Sequence, residues 1–176
     1  DQAILLDPEH ARAYASRGLI HHNAGALDEA LQDYGRSLEL DPGAAEVYLN
    51  RGGTYATLGD MDAALREYSQ ALALQPDDAE AFYNRGTVYA ILERYPEALQ
   101  DLDRAIEIDP DFSQVYGNRG LIYKAIGETG AAIADMEGQG TSSVVLGVTR
   151  VKTGSAQAGS LTVSGTATRS TGGLFS

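Results

Sequence analysis

The chain has 176 residues, 25 acidic against 13 basic for a formal charge of −12, and no cysteine, which excludes disulfides and thiolate metal sites and leaves the compartment unreadable. No run of about 18 apolar residues occurs, which argues against membrane insertion. All 25 acids and 10 of the bases lie in residues 1–137, a net −15 that argues against nucleic acid and anionic lipid as partners of that part, while residues 138–176 keep only Arg150, Lys152 and Arg169.

In chain order, residues 1–8 read as the tail of a second helix whose first half is missing, and Asp1 in place of a starting Met reads as the edge of a fragment. The spacing of apolar residues then predicts helices near 11–24 and 27–40. The next pair is Ala45–Leu58, carrying Val47, Tyr48, Tyr55 and Leu58, and Ala63–Leu74, with Ala64, Leu65, Tyr68, Ala71 and Leu72 inward. Gly59-Asp60 between them supplies a stop followed by a start. Further pairs fall near 79–92 with 95–108, and at 113–126 with a short helix from about 129. Pro8, Pro42, Pro76 and Pro110 follow successive second helices at an interval of 34 residues. Proline ends each one because it lacks an amide proton and disfavours helical geometry in the residue before it.

The last helix fails partway. The register places a proline at 144, where the chain has Val144, and from Gly138 to Ser176 the residues Gly, Ser and Thr make up 22 of 39. Residues 138–176 are therefore expected to be a low-complexity tail, unstructured or of non-native sequence. A weak β-hairpin is the second reading, from the Val- and Thr-rich stretches 142–152 and 161–168.

Aligned at 34 residues, the chain shows fixed columns: Gly18, Gly52, Gly86 and Gly120; Ala30, Ala64, Ala98 and Ala132; Ala3, Ser37, Ala71 and Ala105. Aromatic columns hold Tyr14, Tyr48, Phe82 and Tyr116, and His21, Tyr55, Tyr89 and Tyr123. Helices that cross closely need Gly or Ala where their backbones approach and bulky groups on either side. With the proline column, this pattern resembles the tetratricopeptide repeat (TPR) across residues 1–137. The resemblance implies an all-α fold, a right-handed α-solenoid of antiparallel helix pairs. Residues 1–8 would end a truncated repeat, 9–42, 43–76 and 77–110 would be full repeats, and 111–137 an incomplete one.

The resemblance also implies where a ligand would bind. In the family the first helix of each repeat lines a concave groove, and the residue two before the glycine points into it. Asn50, Asn84 and Asn118 hold that column, with Ser16 in the first repeat, and resemble the asparagine ladder of the O-GlcNAc transferase superhelix. Spaced carboxamides can donate and accept along an extended peptide backbone without reading its side chains. Leu19, Leu49, Tyr83, Thr87 and Leu121 would make the rest of the groove neutral and mildly apolar. The alternative is that these asparagines pin neighbouring repeats or face water. A clamp for acidic chaperone tails needs basic groove columns, and only Arg12 is basic there.

Arg17, Arg51, Arg85 and Arg119 stand where the family usually has leucine. Asp33, Glu67, Asp101 and Asp135 share a column 16 residues further on, so the arginines are expected to tie the two helices of each pair, at about 0–1 kcal/mol each if half exposed. No catalytic motif, phosphate loop or cofactor signature occurs. His21 and His22, adjacent on a helix, point to different sides and make a poor chelate. No catalytic residue, metal or cofactor is expected. The reading is a non-catalytic scaffold for a protein or peptide. Its rivals are the recruiting arm of a larger enzyme and a module that weakly self-associates end to end through uncapped repeats.

Overall fold

The computed structural model of the chain describes residues 4, 7–138, 146–149 and 160–163. Eight helices are found among them: α1 (Ala11–Asn23), α2 (Leu27–Leu40), α3 (Ala45–Leu58), α4 (Met61–Leu74), α5 (Ala79–Ile91), α6 (Tyr95–Ile108), α7 (Ser113–Ala125) and α8 (Thr129–Gly138). Beyond them, β1 (Leu146–Thr149) and β2 (Ser160–Val163) pair antiparallel, with Leu146 opposite Val163. The other residues of the expected tail, and the first residues of the truncated repeat, lie outside the described residues.

The helices form four pairs, α1–α2 to α7–α8, each packed against the next. Each pair closes around one glycine. A Cβ on Gly52 would lie 2.7 Å from Tyr68 Cε1, one on Gly86 3.1 Å from Asp101 Cβ and 3.2 Å from the Ala98 carbonyl oxygen. The alanine column sits opposite, with Ala30, Ala64, Ala98 and Ala132 all buried. The core continues between pairs: Leu65 lies against the cluster of Ala64, Tyr68 and Val88, and Leu99 against that of Ala98, Leu102 and Ile122.

The ends of the helices follow from short-range chemistry. Asp60 caps α4 by accepting from the Ala63 amide at 2.9 Å, which starts the helix two residues before the expected Ala63. Asp78 caps α5 in the same way through Ala81 at 3.0 Å. Asp41 and Asp109, each preceding a proline, accept from the amide two residues on at 3.1 Å and turn the chain toward the next pair. Within pairs the chain turns through a left-handed residue, Gly25, Gly59 or Gly127 (φ 78°, 85° and 86°), and the third turn places Glu93 there at φ 58°.

Helix contacts between consecutive pairs set the curvature. First helices touch across pairs, α1 to α3, α3 to α5 and α5 to α7, whereas no two second helices of neighbouring pairs do among the described residues. The first helices therefore line the inner, concave side and the second helices fan out on the convex side.

Candidate functional site

The arginine column organises the pairs. Arg17 forks onto Asp33 (Nε–Oδ2 2.8 Å, Nη2–Oδ1 2.6 Å), Arg51 onto Glu67 (2.8 and 3.0 Å), Arg85 onto Asp101 (2.7 and 2.8 Å) and Arg119 onto Asp135 (2.8 and 2.6 Å). Each guanidinium also lies 5.5–5.6 Å from the centroid of the aromatic ring three residues earlier, Tyr14, Tyr48, Phe82 or Tyr116. The hydrogen bond to Asp135 raises the Arg119 pKa further above its ordinary value. Asp33, Asp101 and Asp135 are only 6%, 4% and 6% exposed, so these are not the half-exposed pairs expected. Removing one partner strands a buried charge, which costs more than 0–1 kcal/mol.

Two arginines also reach backwards. Arg85 Nη1 donates to Ser69 Oγ at 3.1 Å and Arg119 Nη1 to Asp103 Oδ1 at 2.5 Å, each on the second helix of the preceding pair. The sequence offers this tie as an acceptor 16 residues upstream of the arginine, a spacing that only the stacking of pairs explains.

On the concave side, an open recess of about 720 Å³ lies between α1 and α3. Arg12, Ser16, Leu19, Glu46 and Asn50 line it, with Leu74 from the end of α4. Two expected groove residues, Leu19 from α1 and Asn50 from α3, thus line the same recess. Leu74 is a contributor that the first-helix columns missed, because it enters from the last turn of a second helix.

The three asparagines differ. Asn50 and Asn84 are half-buried, and neither carboxamide has a hydrogen-bond partner among the described residues. Asn118 Nδ2 donates to Thr87 Oγ1 at 2.9 Å, and the Thr87 hydroxyl donates to the Tyr83 carbonyl at 2.8 Å. Asn118 therefore pins α7 to α5. The Tyr83 ring stacks at 48° to Phe112, centroids 5.0 Å apart, and Leu49 packs against the clusters formed with Tyr68 and with Ala71. Leu49 and Tyr83 are thus half-buried between pairs, whereas Leu19 and Leu121 stand exposed at 41% and 59%.

His21 and His22 reach different partners. His21 Nε2 lies 3.6 Å from Asp33 Oδ2. His22 Nδ1 lies 2.9 Å from Thr54 Oγ1, whose hydroxyl donates to the Asn50 carbonyl at 3.0 Å. That hydroxyl proton is committed, so Thr54 accepts and His22 donates through Nδ1–H. Thr54 is buried in a column otherwise held by Ile20, Val88 and Ile122. A lone polar residue in that column was the sequence signal for this contact.

Family models described as tetratricopeptide repeat match residues 11–43, 49–111 and 102–134. The chain belongs to the tetratricopeptide repeat family. Among solved structures it is similar to MamA, at 24% identity and a TM-score of 0.73, over 78% of this chain and 81% of that one. It is also similar to YrrB, described as a TPR protein with an unusual peptide-binding site, at 27% identity and a TM-score of 0.70, over 78% and 71%. A third is the first TPR domain of Spaghetti (RPAP3) bound to the HSP90 peptide SRMEEVD, at 25% identity and a TM-score of 0.66, over 69% and 96%. No curated protein matches the chain. The fold is an all-α TPR solenoid, the architecture of protein-interaction scaffolds. Among the described residues no helix is long and apolar enough to cross a membrane.

Proposed function

We propose that the chain is a non-catalytic scaffold that holds an extended peptide segment of a partner protein along its concave face. The observation that carries this reading is the recess between α1 and α3, lined by exposed Leu19 and by Asn50, whose carboxamide has no hydrogen-bond partner among the described residues. Asn84 continues the row one pair further on. Open carboxamides suit main-chain recognition: they donate to a peptide carbonyl and accept from a peptide amide. Asn118 has spent a donor on Thr87 and keeps only its oxygen and second N–H, so recognition is centred on Asn50 and Asn84. The similarity to two structures whose descriptions mention peptide binding supports the class of ligand. The acidic ligand of the Spaghetti domain does not transfer, because Arg12 is the one cation among the described residues lining this recess and Glu46 lines it as well.

The test is titration of peptides selected from a random library on the full chain. Asn50→Ala and Asn84→Ala should each weaken binding by about 0.5–1.5 kcal/mol, roughly 2- to 10-fold, while helicity is kept. Acidic tail peptides should bind no better than scrambled ones, and affinity should vary little with salt. Unchanged affinity in a folded double variant would remove the groove reading. A steep salt dependence would point instead to the acidic convex face.

A further inference from the structure

The junctions between helix pairs are not fastened alike. Arg85 and Arg119 use Nη1, the nitrogen left over from the fork, to hold the second helix of the preceding pair, through Ser69 Oγ at 3.1 Å and Asp103 Oδ1 at 2.5 Å. On α2 the residue of that column is Gly35, and Arg51 Nη1 makes no hydrogen bond among the described residues. A Cβ on Gly35 would meet nothing within 4 Å, so the place of the missing acceptor is open. The same junction is weaker in two further respects. Val88 and Ile122 seat in apolar clusters with Leu65 and Leu99 of the preceding second helix, whereas this junction has Thr54 in that column. Tyr34 packs with Val47 of α3, and its buried hydroxyl has no hydrogen-bond partner among the described residues. A buried donor without an acceptor disfavours the packing that encloses it.

We infer that the junction between α1–α2 and α3–α4 is a hinge, on which the first pair rocks to widen and narrow the recess. The polar and covalent attachments of the two pairs lie along α3. Residues 41–44 lead into its start, and near its end Thr54 Oγ1 accepts from His22 Nδ1 at 2.9 Å. Those two points set an axis along α3, and rocking about it carries α1 across the concave face. The recess lies between the moving and the fixed helix, with Arg12 and Leu19 on α1 and Glu46 and Asn50 on α3. At the later junctions the arginine tie adds a third point of attachment, on α4 or α6, and Asn118 adds another on Thr87. Two attachments leave one rotation free, and a third off their line removes it. Contact of Tyr34 and Leu38 with Val47 keeps the pairs together during the motion, while rocking lets water reach the Tyr34 hydroxyl. The hinge goes beyond the peptide-binding reading and does not depend on it.

Pulsed electron spin resonance on the full chain, without ligand, tests the hinge. The chain has no cysteine, so spin labels attach only where cysteines are introduced. Gln32, Arg66 and Gln100 are exposed residues of one column, on α2, α4 and α6. Gln32→Cys with Arg66→Cys reports the first junction, and Arg66→Cys with Gln100→Cys the second. The distance distribution across the first should be roughly twice as broad as that across the second. Gly35→Asp gives Arg51 the acceptor that Asp103 gives Arg119. It should narrow the first distribution to the width of the second and leave the second unchanged. Gly35→Ala adds helix propensity without an acceptor and should keep the parent's breadth. Equal widths at the two junctions of the parent would overturn the inference. So would a Gly35→Asp distribution as broad as that of Gly35→Ala.

Discussion

Glu93 is the residue whose backbone fits its side chain least. It holds the left-handed position that Gly25, Gly59 and Gly127 hold in the other turns, and an L-residue there costs roughly 1–2 kcal/mol. Glu93→Gly relieves that strain but gives the unfolded chain more freedom. The net expected is a stabilisation of about 0.5–1 kcal/mol, read as a rise in Tm of roughly 1–4 °C. The glycine column makes a second residue-scale case, because its members are not equally crowded. A Cβ at Gly120 meets nothing closer than 3.5 Å, whereas at Gly52 it meets Tyr68 at 2.7 Å. Gly120→Ala should be neutral or stabilising by up to about 1 kcal/mol through helix propensity, and Gly52→Ala should destabilise by about 1–3 kcal/mol. The third variant is Gly86→Ala. The Ala98 carbonyl oxygen, 3.2 Å from the added Cβ, places that variant between the other two. Equal melting of all three would contradict the assigned close approaches. Tyr34 and Tyr68 add a pH dependence. Burial, reinforced by Asp33 and Glu46 at Tyr34 and by Glu80 at Tyr68, pushes both phenols up to about 12. Unfolded phenols ionise near 10, so between those values the folded state holds protons that the unfolded state has lost. Their contribution is complete below pH 10 and is lost as pH rises through 12. Denaturant melts should show that decline, and Tyr34→Phe should flatten it.

At the scale of the element, each helix pair is tied by an arginine fork onto a buried or nearly buried carboxylate. Arg85→Leu restores the residue usual in the family but leaves Asp101, 4% exposed, without its counter-ion. The expected cost is about 1–3 kcal/mol, below the roughly 3–5 kcal/mol of a fully buried pair because the arginine is partly solvated. Arg85→Leu with Asp101→Ala should recover part of that loss, since no charge is then left stranded. Denaturant unfolding of the single and double variants checks this, and a double variant as unstable as the sum of both singles would contradict it. These forks were legible in the sequence because both partners recur at 34 and stand 16 apart within one pair. The particular partners of the bonds from Arg119 to Asp103 and from Asn118 to Thr87 were not, although the 16-residue spacing and the asparagine column left such ties open. They cross between pairs, where the partner depends on how much one pair rotates against the next, and a column of identical residues does not encode that angle.

For the whole molecule, the 34-residue columns carried the fold almost entirely, since each column names a position in one repeated packing unit. The groove was less legible for a related reason. Periodicity treats Asn50, Asn84 and Asn118 as equivalent, yet Thr87 occurs in only one pair, and its hydroxyl turns Asn118 from an open amide into an inter-pair tie. Likewise Leu49 and Tyr83 are drawn into packing between pairs while Leu19 and Leu121 remain exposed. The proposed site is thus a property of departures from the repeat, and its recess lies between α1 and α3. The most direct measurement is an amide correlation NMR spectrum of the full chain, recorded while a library-selected peptide is titrated in. The side-chain amide signals of Asn50 and Asn84, with backbone signals of α1, α3 and α5, should move together and saturate at one equivalent. Perturbations confined to the convex helices α2, α4 and α6, with the Asn50 and Asn84 amides unmoved, would contradict the groove.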